Sequence, residues 1–222
     1  MKKGLLVALS LTILFTISFY MPISSSTYKS DGWGPERPTY TMESLPTTAT
    51  FNSVTNNPVI GDERDFVRIA ERNSGEVYTN EIKLIPGKEY EIYIGYHNDA
   101  ASSSNETGAG IAQQVRLSST FPNTLYHGTT GSIDAVISAY GTSPEKVWDG
   151  VEISSDVDIE ISYKAGSAVI YNGWGINESV LSDELFTEKG TYLGVDKLDG
   201  IVFGSEDYSG YVIYIITVEE IN

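Results

Sequence analysis

The run Gly210-Tyr211-Val212-Ile213-Tyr214-Ile215-Ile216-Thr217-Val218 constrains the fold more than any other feature of the chain. It consists almost wholly of β-branched aliphatic and aromatic residues, which fit a pleated backbone and lose side-chain freedom in a helix. Successive side chains of a strand point to opposite faces, and here both faces are apolar. Such a segment predicts a central strand, covered on both sides.

The rest of the body repeats the β theme. In Glu89-Tyr90-Glu91-Ile92-Tyr93-Ile94-Gly95-Tyr96, the residues Tyr90, Ile92, Ile94 and Tyr96 share one face, and Glu89, Glu91, Tyr93 and Gly95 share the other. Pro86-Gly87 just before it suits a type II turn, because glycine tolerates a positive φ. Residues 115–119, 133–139 and 157–161 are further strands, the last with Val157, Ile159 and Ile161 facing inward. Strand candidates recur at roughly the 8–12-residue spacing of sandwiches.

Helical signals are sparse. Residues 143–148 predict a single turn, with Ser143 as N-cap and Pro144 in the first position, and 178–186 predict another. Trp148 is expected in the core. Residues 99–110 read as a long polar connection.

The chain has 222 residues, and positions 1–26 carry an address. Lys2 and Lys3 are followed by an apolar run from Gly4 to Ile23 and then Ser24-Ser25-Ser26, the order of a secretory signal peptide. Cleavage after Ser26 is expected, with an uncleaved anchor as the alternative, since the run is long enough to cross a bilayer core. Either way the remainder is exported, so the expected location is extracellular, secreted or at the cell surface. No later run is long enough to span a membrane. Positions 27–47, with Pro35, Pro38 and Pro46, predict an extended arm. Positions 48–222 predict one all-β, immunoglobulin-like β-sandwich, ahead of two smaller ones.

Charge and chemistry narrow the function. Acidic residues outnumber basic ones 30 to 14. Setting aside Lys2 and Lys3 with the leader leaves 30 against 12, a net −18. A polyanion of this kind does not bind nucleic acid. The absence of cysteine excludes disulfides, thiolate metal sites and a Cys nucleophile.

The stretch 86–99, followed by 114–118 and Phe121-Pro122, resembles a common bacterial surface repeat with a Pro-Gly turn, an alternating strand, an Asn-rich corner and a returning strand. Residues 161–168 and 208–212 fit the same plan. The wider chain, including Trp33-Gly34-Pro35-Glu36-Arg37-Pro38 and residues 61–67, resembles an uncharacterised family of exported bacterial proteins. The resemblance implies an immunoglobulin-like sandwich at the cell surface that is structural or adhesive, and it implies no activity.

No catalytic or cofactor-binding residue is assigned from sequence. There is no G-x-S-x-G, and His97 and His127 both read as turn or surface residues. Gly108-Ala109-Gly110 lacks the third glycine and the helix of a phosphate loop. Asp156, Asp158 and Glu160 recur every second residue and offer an acidic strip for Ca²⁺, though a solvated face opposite Val157, Ile159 and Ile161 explains them fully and is the preferred reading. Asp62-Glu63-Asp65 and Asp196-Asp199 are weaker versions of the same idea. Trp33 and Trp174 each lie between two glycines and are candidate stacking platforms for a sugar ring; the competing reading has each ring plug an end of the sandwich.

The leading expectation is a surface module acting by contact, through adhesion or through assembly by strand addition, without catalysis. A carbohydrate-binding protein using Trp33 and Trp174 is the alternative, and an exported carboxylate-based hydrolase is a third reading.

Overall fold

The computed structural model describes residues 32–221. Positions 1–26, expected to be a leader, and 27–31 of the expected arm lie outside the described residues. The strands are, in chain order, β1 (Val67–Glu71), β2 (Glu81–Lys83), β3 (Glu89–Tyr96), β4 (Gln113–Thr120), β5 (Thr124–Leu125) and β6 (Thr130–Tyr140). There follow β7 (Lys146–Ser154), β8 (Ile159–Tyr163), β9 (Val169–Asn172), β10 (Ser179–Val180), β11 (Thr191–Tyr192) and β12 (Gly210–Glu220). Among the described residues the only helical pieces are short 3₁₀ turns at Ser102–Asn105, Asp183–Phe186 and Glu206–Tyr208. No helix of the described residues is long and apolar enough to cross a membrane.

Two sheets form a β-sandwich. The first runs β1-β3-β12-β8-β5, with β9 also on β12 and β10 on β9; the second runs β11-β4-β6-β7-β2. Strand β12 is central, as its composition demands. It pairs with β3 along one side, and with β9 and β8 end to end along the other. Its inward residues Val212, Tyr214, Ile216 and Val218 are fully buried against Ile92 and Ile94 of β3 and the facing sheet. Each such aliphatic contributes roughly 1.5–3 kcal/mol by leaving water. Tyr214 carries its hydroxyl into this core and shares a 2.8 Å hydrogen bond with Ser119 Oγ of β4, which links the sheets without an unsatisfied group.

The other face of β12 is covered differently from the expectation. Instead of a second layer, side chains laid across the sheet shield it. Tyr171, Tyr211 and Tyr93 stack in sequence, with ring centroids 5.1 Å apart at each step. Tyr211 lies opposite Gly95 in the register, and the missing side chain lets the Tyr93 ring fold over the glycine.

Two local expectations fail. Residues 143–148 form no helical turn: they close the β6–β7 hairpin, whose register runs from Thr130↔Ser154 to Ser138↔Lys146. The period-two alternation of Val147, Asp149, Val151 and Ile153, all buried, outweighs the capping signal of Ser143-Pro144. Trp148 therefore points away from the core and lies beneath Gly34, where any Cβ would collide with the indole. From residue 32 the arm is docked against the sandwich. Gly34 exchanges two 2.8 Å backbone hydrogen bonds with Trp148, Tyr40 bridges to Val54, and Arg37 is buried.

One inward residue of β7 is acidic. Asp149 Oδ2 accepts hydrogen bonds from the backbone N–H groups of Phe66 (2.6 Å) and Val67 (2.7 Å), stitching the second sheet to the start of β1. Burial pushes this carboxyl up to about 7, against the opposing pull of those N–H groups. Because the folded value lies above the unfolded one, its contribution to stability is full below about pH 4 and lost as the pH rises through 7. In Asp149→Asn the amide oxygen accepts the same bonds and does not ionise. Urea denaturation is expected to show the wild type losing about 2–3 kcal/mol relative to the variant between pH 5 and pH 8. Parallel pH profiles would show that Asp149 titrates normally.

Candidate functional site

The site lies where β3 ends and β12 begins. Beyond Tyr96 the chain continues as His97-Asn98-Asp99, and the segment 49–66 crosses over it before entering β1. The two are laced by backbone bonds: Phe51 bridges Asn98, Asn52 N–H donates to His97 O (3.0 Å) and Asp99 N–H to Thr50 O (2.9 Å). Asn52 adopts a left-handed φ of 47°, which asparagine tolerates better than most residues. That kink turns its side chain so that Oδ1 accepts from His97 N–H (2.8 Å) and Nδ2 donates to Gly95 O (3.1 Å). Asn98 is fully buried, and its Nδ2 donates to Gly110 O and Val202 O, pinning the expected polar connection 99–110.

Inside this lacing sits a charged cluster. His97 is 4% exposed and Asp99 0%, and Glu63 is equally buried. His97 Nδ1 lies 3.0 Å from both Glu63 oxygens and 3.1 Å from Asp99 Oδ1. Asn57 Nδ2 donates to Glu63 Oε1 (2.7 Å), and Ser53 N–H donates to Asp99 Oδ2. Burial, the largest single effect, would raise the Glu63 carboxyl, but the His97 hydrogen bond and charge, together with the hydrogen bonds of Asp99 and Asn57, hold Glu63 below its ordinary value. Burial, and next the Glu63 charge, push Asp99 well above its own. Arg37 stands close by, yet its guanidinium bonds go to Ser53 Oγ, Pro35 O and Asn52 O.

Glu63 and His97 form the inner end of a groove of about 510 Å³, a size that suits a small ligand or a few side chains. Its floor is the tyrosine row, with Tyr78, Tyr93 and Tyr211 along the outer face of the first sheet. Its lips are aliphatic: Val59 is 83% exposed and Val77 81%. Because Tyr211 is stacked between Tyr93 and Tyr171, the row offers ring edges and hydroxyls to the groove more than open ring faces.

Of the residues singled out from sequence, Glu63 and Asp65 line this groove, and Trp33, Trp174 and the strip Asp156, Asp158 and Glu160 do not. Trp33 lies half-buried with the Arg64 guanidinium 3.9 Å above its ring centre, so a cation already covers one face. Trp174 is 40% exposed and lies on Tyr208, with centroids 5.0 Å apart, and its Nε1–H donates to Asp207 O (2.7 Å). The acidic strip does not converge: Asp156 pairs with Lys83 and Asp158 accepts from His127 N–H, while Glu160 is exposed on β8. Among the described residues, Glu63, His97 and Asp99 are the one group of three placed to hold an ion. Of Asp62-Glu63-Asp65, Asp62 pairs with Arg64 and Asp65 with Arg68, and Glu63 alone turns inward. His97, expected at a surface turn, is a core residue, because crossing by 49–66 buries the strand end. His127 is exposed, as expected.

Comparison with protein families, curated proteins and solved structures returns no match to this chain.

Replacing Asn52 by Ala removes both side-chain bonds and puts a less tolerant residue at the left-handed φ. Its cost is expected to be about 2–4 kcal/mol in chemical denaturation. A loss under about 1 kcal/mol would mean that the crossing is held by something else.

Proposed function

We propose that the chain is an exported, non-catalytic contact module at the bacterial cell surface, related to the immunoglobulin-like surface sandwiches that residues 86–122 resemble. It engages an extended segment of a partner protein in the tyrosine groove. The observation that carries this reading is the groove's make-up: exposed aliphatic lips at Val59 and Val77 over a floor of tyrosines. Tyrosine buries a large rigid surface at little entropic cost and keeps a hydroxyl for polar contacts, which is why it is enriched in recognition surfaces. The net charge of −16 and the exposed Glu206 beside the groove favour a segment that carries basic as well as apolar side chains. Export rests on the leader at 1–26.

Binding is favoured over turnover because, of the carboxylates lining the groove, Glu63 is directed at His97, Asp65 pairs with Arg68 and Glu206 is exposed. Glu63 and Asp99 both approach His97 Nδ1, which leaves neither poised toward a substrate.

A second reading, glycan binding, draws on Trp174. Its ring is held flat on Tyr208 and partly exposed, an arrangement suited to stacking on a sugar.

The test is a peptide array and a glycan array probed with the leaderless chain. Val59→Glu with Val77→Glu is expected to leave stability within about 0.5 kcal/mol, since both side chains are exposed, and to weaken peptide capture at least tenfold. Trp174→Ala is expected to leave that capture unchanged. Glycan capture lost on Trp174→Ala would favour the second reading, and binding untouched by either change would remove the groove.

A further inference from the structure

Three acidic oxygens surround a single ring nitrogen in the Glu63–His97–Asp99 cluster. Both Glu63 oxygens and Asp99 Oδ1 lie within 3.1 Å of His97 Nδ1, which carries at most one proton. Asp99 Oδ1 is buried, is aimed into the cluster and has no hydrogen-bond partner among the described residues. Carboxyl oxygens held this close need a shared proton or a cation between them. Arg37 acts on Asp99 through its charge alone, its hydrogen bonds going to Ser53, Pro35 and Asn52.

We propose that Glu63, His97 and Asp99 form a binding site for a divalent transition-metal ion of the zinc and manganese class. The donor set decides the class. One imidazole nitrogen with two carboxylates suits borderline ions, whereas calcium favours an all-oxygen shell. Spacing agrees: donors ~2.1 Å from one ion lie ~3.0–3.4 Å from one another, and the distances from Nδ1 to the oxygens are 3.0–3.1 Å. An outer layer is in place on the two carboxylates, while the other ring nitrogen, His97 Nε2, is buried with no partner among the described residues. Asn57 Nδ2 holds Glu63, and the Ser53 N–H holds Asp99 Oδ2, leaving Oδ1 for the ion. Glu63 and His97 line the groove, which gives the ion a path from solvent. The site joins segment 49–66 to the end of β3, so the ion acts as a cross-link between the groove's wall and its floor. It does not depend on what the groove binds.

The experiment uses the full leaderless chain, stripped with a chelator and titrated with ZnCl₂, MnCl₂ or CaCl₂. Calorimetry is expected to show one saturable site for zinc or manganese, with a rise in Tm, and no comparable rise for calcium. The chain has two histidines, so imidazole NMR separates their roles. The His97 ring signals are expected to shift with the same saturation, while exposed His127 stays in place. Glu63→Gln keeps the side-chain shape and is expected to weaken binding at least 100-fold. If that variant fails to fold, the wild-type NMR titration still decides. Absence of saturable binding up to millimolar metal, or binding that moves His127 and leaves His97 unchanged, overturns the site.

Discussion

Burial of ionisable groups at the end of β3 is the constraint on which the functional half of the molecule depends. A carboxylate taken out of water without partners costs several kcal/mol, so Glu63 and Asp99 persist in the interior only because polar groups converge on them. Those groups come from separate parts of the chain: Ser53 and Asn57 from the crossing segment, and His97 from the strand end. Satisfying the charges therefore fixes the path of residues 49–66. That path in turn places the Val59 lip over the sheet. A polar network of this kind is costly when incomplete and rigid when complete, which suits the wall of a recognition groove.

The groove's floor follows from a separate economy. A strand as apolar as β12 needs cover on both faces, yet only one of its faces meets the second sheet. The tyrosine row supplies the rest. Cross-strand aromatic pairs contribute about 0.5–1.5 kcal/mol beyond the area they bury, and their hydroxyls keep the surface wettable. Stability and recognition thus draw on the same side chains, and the glycine at position 95 is what allows the rings to close over the strand.

Much of the scaffold was readable from the chain itself. The alternation in residues 89–96 and the two-sided apolarity of 210–218 placed β3 and β12, because period-two burial is a local property. The β6–β7 hairpin shows where local signals compete. Ser143-Pro144 looked like a helix start, and only the pairing of β7 with β6 reveals why the strand prevails. The candidate site was far less visible. Glu63 and His97 are 34 residues apart, and nothing local marks either as buried. Tyr93 and Gly95 were placed on the correct face, but the stack with Tyr211 and Tyr171 depends on the register of β12 with both neighbours. Trp33 drew attention through its flanking glycines, whereas its surroundings are set by Arg64, which folds back over it.

The role of the polar cluster as the clamp of the groove is tested most directly by native-state hydrogen exchange. The amides of Asn52, Ser53 and Glu63 are bonded to His97 O, Asp99 Oδ2 and Val54 O. If the clamp is part of the cooperative core, they exchange only through global unfolding, with the same opening free energy as Ile92 and Val212. Exchange by local opening at about 3 kcal/mol or more below that limit would contradict it.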